Sequence, residues 1–284
     1  MSRNNQDRMG AKQSAGAEAP PEVLMQSEKK DSLNFVVPTE FVELPSKGKY
    51  YPENHPLHMQ ESIEIRYMTA KDEDILTSKT LLKQGVALNR FISNIIVDKR
   101  ISSNSLLTGD KNAVVVAARV SGYGAGYATR IPCPACLSNV EYEFDLNEKV
   151  VTEGEINEDE GVFLTENNTL MIHTPVTNAE VEIKLMTGSD ETALVKKTKG
   201  SKSNDFSITK HLKAMIVSVN GDNSQMIIRR FVDTMPAKDS RHLRNTYKKA
   251  SPNVDLTQHF ECSECGHEQP LEVPFTADFF WPDR

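Results

Sequence analysis

All four cysteines of the chain fall in two Cys-x-x-Cys pairs, Cys133-Pro134-Ala135-Cys136 and Cys262-Ser263-Glu264-Cys265, separated by 125 residues. Thiolates at positions i and i+3 of a tight turn can share one zinc ion, and two such turns complete its tetrahedron. The spacing within a sequence-local zinc ribbon is roughly 15 to 20 residues. A shared site here therefore requires a fold that carries two distant halves of the chain to one point. Four protein thiolates leave no open position for water, so such a site is structural and holds one Zn2+ per chain. His267 is a substitute ligand ranked below the cysteines, because four sulfurs are already on hand. A thioredoxin-like redox pair needs its first cysteine to open a helix after a buried strand. Here each pair instead precedes a strand-like run: Tyr142, Phe144 and Leu146 after the first, and Leu271, Val273 and Phe275 after the second.

Four cysteines in 284 residues are too few for the disulfide framework of a secreted domain. No run approaches the roughly 20 apolar residues of a membrane span, and Met1 to Pro20 is polar without a signal-peptide core. The expectation is a soluble protein made in a cytoplasm. Its net charge of −7 gives no overall attraction to phosphate backbones.

The pattern along the chain predicts an α+β fold with helical parts flanking a β-rich middle. Residues 1–34 are polar and poor in aromatic and β-branched residues, which predicts a disordered arm. Its apolar cluster, Val23-Leu24-Met25, is either a docking peptide or chance. A single zinc-stabilised domain is expected over 35–284, opening with Phe35 and the turn-rich run Pro45 to Pro52. Alternation of Ile63, Ile65 and Tyr67 predicts a strand. The first helical part, about 69–130, begins where Thr69 caps a helix whose first turn carries Asp72, Glu73 and Asp74. A second helix runs from about Val86 to Val97. A third, of about ten buried residues, is opened by Asp110, and Ser121 to Tyr127 reads as a close-approach or flexible glycine loop. The β-rich middle spans about 131–188, with strands at Val140–Leu146, Val162–Thr165, Leu170–His173 and Val181–Leu185. A second helical part covers about 189–250. In it Leu212, Met215, Ile216 and Val219 read as one helical stripe, and Asp239 to Lys249 as a short basic helix. The second knuckle and a tail fill 251–284.

Nothing in the sequence makes a defensible active site. The seven histidines are scattered, with no His-Glu-x-x-His spacing and no Gly-x-Ser-x-Gly elbow. The Gly-x-Gly-x-Gly stretch leads toward Cys133 and not into a helix that would offer its N-terminus to a phosphate. Two groups are candidates for partner binding. Arg241 and Arg244 belong to a basic cluster with Arg229, Arg230, Lys248 and Lys249, which suits partner carboxylates, nucleic acid or plain solvation. Phe279, Phe280 and Trp281 suit interface anchoring or burial in the chain's own core.

Several of these features in their order along the chain resemble baseplate hub proteins of T-even-type contractile-tailed bacteriophages. They are Leu44 to Pro52, Met68 to Leu76, Gly109-Asp110, Arg119 to Tyr127, the two knuckles, Pro236 to Arg241, and Phe279 to Pro282. The resemblance covers about residues 35–284. It implies a non-enzymatic virion or assembly protein, made in the host cytoplasm, that binds hub, tail-tube or tape-measure proteins and either stays in the baseplate or leaves as a chaperone. The alternative is a zinc-ribbon nucleic-acid-binding or transcription regulatory protein.

Overall fold

A computed structural model describes residues 36–198, 207–274 and 277–280. The predicted N-terminal arm, Lys199 and Trp281 lie outside the described residues. The chain divides after Val36, and every named helix and strand lies in the second unit, Val37–Arg284.

The second unit opens with an antiparallel hairpin, β1 (Thr39–Glu43) on β2 (Ser62–Arg66), in register Phe41↔Glu64. Its inward residues Val42, Ile63 and Ile65 are buried, as the alternation requires. Helices α1 (Ala70–Thr77), α2 (Lys79–Gln84), α3 (Ala87–Ile95) and α4 (Thr108–Tyr123) follow. Phe91, Ile92 and Ile95 of α3 recur at helical spacing and lie in one core with Val114, Val116 and Ala118 of α4. Then come β3 (Gly126–Pro132), β4 (Asn139–Asp145), β5 (Val150–Thr152), β6 (Val162–Leu164), β7 (Leu170–His173) and β8 (Glu180–Ile183). Helices α5 (Gly188–Thr198) and α6 (Ile208–Met215), strand β9 (Ile216–Val219) and helices α7 (Gln225–Thr234) and α8 (Ala237–Ala250) precede β10 (Asn253–Asp255), β11 (Thr257–Glu261) and β12 (Glu268–Glu272). Strands β6, β7, β8 and β9 make one antiparallel sheet in that order, whose buried face includes Leu170, Ile172, Val181, Ile183 and Ile216.

The α+β class holds, and three boundaries differ from the sequence expectation. Helix α4 is sixteen residues long, because Thr108 and Gly109 open it and Asp110 is its third residue. Ser121, Gly122 and Tyr123 finish the same helix, Gly124 stops it at φ 84°, and the rest of the glycine run enters β3. Helix α6 ends at Met215. The β-branched run Ile216-Val217 then turns into a strand because β8 offers it a backbone ladder.

Aspartates at the third position of four helices fasten this frame. Asp72 of α1 accepts from the Thr69 N–H and hydroxyl, from both arms of Arg66 (2.7 and 2.9 Å) and from Asn94 (2.6 Å). Asp110 of α4 accepts from the Ser46 N–H (3.0 Å), its hydroxyl (2.6 Å) and the Tyr51 hydroxyl (2.7 Å). Asp190 of α5 accepts from Thr187 and Lys184, and Asp239 of α8 from the Val176 and Thr177 amides. Each carboxylate sits where the helix dipole favours negative charge, and those of Asp110 and Asp239 also tie their helices to distant loops. Asp72 and Glu73 of the acidic trio are therefore structural, Glu73 accepting from the Tyr123 hydroxyl at 2.6 Å, while Asp74 is exposed.

Candidate metal centre

Each cysteine pair is the turn of a β-hairpin. Strands β3 and β4 pair in register Pro132↔Asn139, and β11 and β12 in register Glu261↔Glu268, so the knuckles occupy 133–138 and 262–267. The sequence pattern shows the strand after each pair and extended chain from Val254 to Phe260 before the second, but not the strand before the first. Val140, Phe144 and Tyr127 are buried on one face of the first hairpin, and Phe260 and Gln258 on one face of the second.

The two turns repeat each other atom for atom in their backbone bonding. The Cys133 carbonyl accepts from the Leu137 N–H (2.8 Å), and the Cys133 N–H donates to the Ser138 carbonyl (2.9 Å). The Cys262 carbonyl accepts from the Gly266 N–H (2.8 Å), and the Cys262 N–H donates to the His267 carbonyl (2.9 Å). The residue after each second cysteine takes a left-handed backbone, φ 62° at Leu137 and 66° at Gly266. Glycine holds that conformation without strain, and leucine does not. Leu137 is nonetheless there, with 79% of its surface exposed.

The fold brings the two turns together. The four sulfurs all lie within 4.8 Å of one another, with Cys133 to Cys265 and Cys136 to Cys262 each at 3.8 Å. A zinc ion with about 2.3 Å bonds to four sulfurs requires tetrahedron edges of about 3.8 Å. A disulfide requires about 2.05 Å, and all four cysteines are free. Each short contact joins a buried sulfur, Cys133 or Cys262, to an exposed one from the opposite knuckle. The donor set therefore fits a closed tetrathiolate site.

The local field is uneven. Hydrogen bonds from the Ser138 hydroxyl and N–H draw the Cys136 thiol down to about 6. A bond from the His267 N–H favours the Cys265 thiolate, but desolvation and the neighbouring sulfurs outweigh it and push this thiol up to about 12. Four thiolates in so small a span repel one another, and a divalent cation at their centre makes the full set compatible. His267 serves the knuckle through its backbone. Among the described residues the ligand group contains four sulfurs and no imidazole.

Below the sulfurs, side chains lock hairpin to hairpin. The Gln258 side chain accepts from the Asp145 N–H and donates to the Asp145 carbonyl. Tyr142 donates its hydroxyl to the His259 carbonyl and packs edge-on to Phe260, ring centroids 5.3 Å apart. Neither residue stands out in the sequence as a site residue. Their signal is position: each lies on the strand of a knuckle hairpin, facing the other hairpin.

Phe279 and Phe280 belong to the core. Phe279 and Phe280 are 1% and 6% exposed, and Phe279 packs edge-on to Tyr127 (5.3 Å) while Phe280 packs on Phe91 (5.4 Å). Of the two readings open from the sequence, interface anchoring and burial in the chain's own core, these two rings take the second, packed between α3 and the first hairpin. Arg119, fully buried on α4, holds this region by donating to the carbonyls of Phe279 (2.6 Å), Gly124 (2.6 Å) and Gly126 (2.9 Å). Desolvation lowers its pKa from the ordinary arginine value. A buried arginine in an otherwise apolar helix, just before a glycine-rich run, is the sequence signal for such a clamp. Arg241 is exposed and Arg244 half-buried on α8, with Arg244 donating to the Ser240 carbonyl at 3.4 Å. Arg229 and Arg230 are exposed on α7.

No curated protein and no solved structure matches the chain. Residues 37–281 match a family described as T4 bacteriophage base plate protein. That match spans both knuckles and all the elements that bring them together, and the chain belongs to the T4 bacteriophage base plate protein family.

Proposed function

We propose that the chain is a non-enzymatic structural or assembly protein of the phage baseplate hub, which binds hub, tail-tube or tape-measure proteins. The family match over residues 37–281 carries this reading. The chemistry of the fold agrees with it. Among the described residues the buried charged groups Asp72, Asp110, Lys111, Arg119 and Asp239 are all engaged in hydrogen bonds or ion pairs within the fold, which leaves none of them poised for proton transfer to a substrate. In this proposal Cys133, Cys136, Cys262 and Cys265 hold one zinc ion. When bound, the ion supplies a cross-link between the two hairpins, worth on the order of 10 kcal/mol in zinc-finger peptides. A particle component that must keep its shape under load gains from such a clamp. Synthesis is in the host cytoplasm and the destination is the baseplate.

Co-expression of the tagged chain with the hub, tail-tube and tape-measure proteins of the same phage tests the reading. Co-purification with at least one of them, abolished by unfolding the zinc site, is the expected result. Failure to retain any of them, with the protein folded and metal-loaded, overturns it. A second reading, nucleic-acid binding, is favoured by the basic surface of α8. It predicts duplex DNA affinity that falls steeply with salt.

A further inference from the structure

Helix α8 carries Lys238, Arg241, Arg244, Lys248 and Lys249, and its one acidic residue, Asp239, is buried against the Val176 and Thr177 amides. Lys238, Arg241 and Lys248 are exposed at spacings that place them along one side of the helix. Lys248 and Lys249 have a local explanation. They stand at the C-terminal end that the helix dipole prefers for cations, and they border a cleft of about 760 Å³ that also holds Asp255 and Glu272. Lys238 and Arg241 have none. They sit near the N-terminal end, where the dipole opposes positive charge, and no carboxylate pairs with them among the described residues.

The complementary charge lies immediately downstream. From Ser251 to Pro274 the chain has no lysine or arginine. Within that stretch Glu261 and Glu268 are direct cross-strand partners of the second hairpin, both exposed. Like charges directly opposite each other destabilise a strand pair. Among the described residues, His259 at 3.7 Å from Glu268 is the one basic group beside the pair. The equivalent pair in the first hairpin is the neutral Pro132↔Asn139, and there Glu141 is matched by Arg130 at 2.8 Å. Of the two ribbons, only the second sets two carboxylates directly opposite each other, and no lysine or arginine of the described residues is paired with that rung.

We propose that the Lys238/Arg241 side of α8 docks on the Glu261/Glu268 rung of a second copy of this chain, giving head-to-tail self-association. The proposal deepens the partner-binding reading of α8. It names the partner as the chain itself, because one sequence carries both an unmatched cationic face and an unmatched anionic one. The two faces differ, so the contact is heterologous: it leaves a free face of each kind at the ends of a pair and closes only as a ring. Charge steers such an encounter and sets its register.

The test uses the purified full chain alone, so its outcome is independent of binding to hub proteins. Sedimentation velocity is measured at about 50 mM and about 500 mM salt, conditions in which the screening length falls from well above to well below 10 Å. The expected result is association at low salt that weakens about tenfold or more at high salt. Lys238→Glu with Arg241→Glu, and separately Glu261→Lys with Glu268→Lys, each leave a monomer with unchanged circular dichroism and metal content. Mixing the two charge-reversed proteins restores association, since each supplies the face the other needs. Should Glu261→Lys disturb the adjacent Cys262, Glu268→Lys alone serves. A monomer at low salt, association indifferent to both reversals, or a mixture that stays monomeric overturns the proposal. A monomer whose α8 face instead binds duplex DNA assigns that face to nucleic acid and equally overturns it.

Discussion

The Gln258 side-chain amide pairs with the backbone of Asp145, accepting from its N–H at 3.1 Å and donating to its carbonyl at 2.5 Å. One side chain thus continues the hydrogen-bond ladder of the first hairpin into the second, 113 residues away in sequence, beneath the sulfurs that share the proposed metal. Replacing it by leucine keeps the volume and removes the partner of the Asp145 N–H, while the Asp145 carbonyl keeps its bond from the Glu148 N–H at 3.1 Å. Gln258→Leu is expected to cost about 1 to 3 kcal/mol in urea denaturation of the metal-loaded protein. Gln258→Glu keeps the acceptor and loses the donor, and should fall between wild type and leucine.

The knuckles predict opposite effects of one substitution type at equivalent positions. Leu137 holds a left-handed backbone that costs a side-chain-bearing residue about 1 to 2 kcal/mol, and it is too exposed to return that in packing. Leu137→Gly should therefore raise stability by about 1 kcal/mol, after allowance for the added freedom of the unfolded chain. Gly266→Ala, at φ 66°, should lower it by about as much. Thermal midpoints of the two variants on either side of wild type would check the pair.

The Asp72 carboxyl sets an acid limit. Burial resists its ionisation, but hydrogen bonds from Arg66, Thr69 and Asn94 outweigh burial and hold it down to about 2, against an ordinary 3.8. With the folded value below the unfolded one, the carboxylate stabilises the fold fully above the ordinary value. That contribution is lost as pH falls from about 4 to about 2. Asp72→Asn should therefore be less stable than wild type at neutral pH, and the gap should close through that window. Urea midpoints of both proteins at stepped pH would show it; a gap that persisted at the acid end would mean the effect is packing and not charge.

The sequence carries the centre's ligands and the mixed fold class but not the means of joining the halves. Cysteine spacing is a local signal, and so is the alternation of Tyr142, Phe144 and Leu146. What brings Cys133 to Cys265 is non-local: hairpin strands β3 and β11 that precede each pair, the Gln258 amide and the Tyr142–Phe260 contact. Of these only the extended run through Phe260 into the second pair is visible in the sequence, and nothing local says which hairpin it meets. Phe279 and Phe280 illustrate the same limit, because an apolar pair near the end of a chain reads alike whether it meets a partner or its own core. The run at Ile216 failed for a related reason. A β-branched stretch after a helix continues the helical stripe by spacing, and only the free edge of β8 decides that it becomes a strand. Leu137 was legible in principle. Aligning Cys133–Asn139 with Cys262–Glu268 puts it opposite Gly266, whose glycine marks the left-handed position.

The central claim is that one metal ion joins the two knuckles, and native mass spectrometry of the chain purified without chelator, alongside Cys133→Ser and Cys262→Ser, tests it most directly. The account predicts one zinc per chain in the wild type. It also predicts sharply weakened binding in either single variant, since each knuckle needs the other. A wild-type chain with no zinc, or one whose zinc survives loss of either knuckle's buried cysteine, contradicts it.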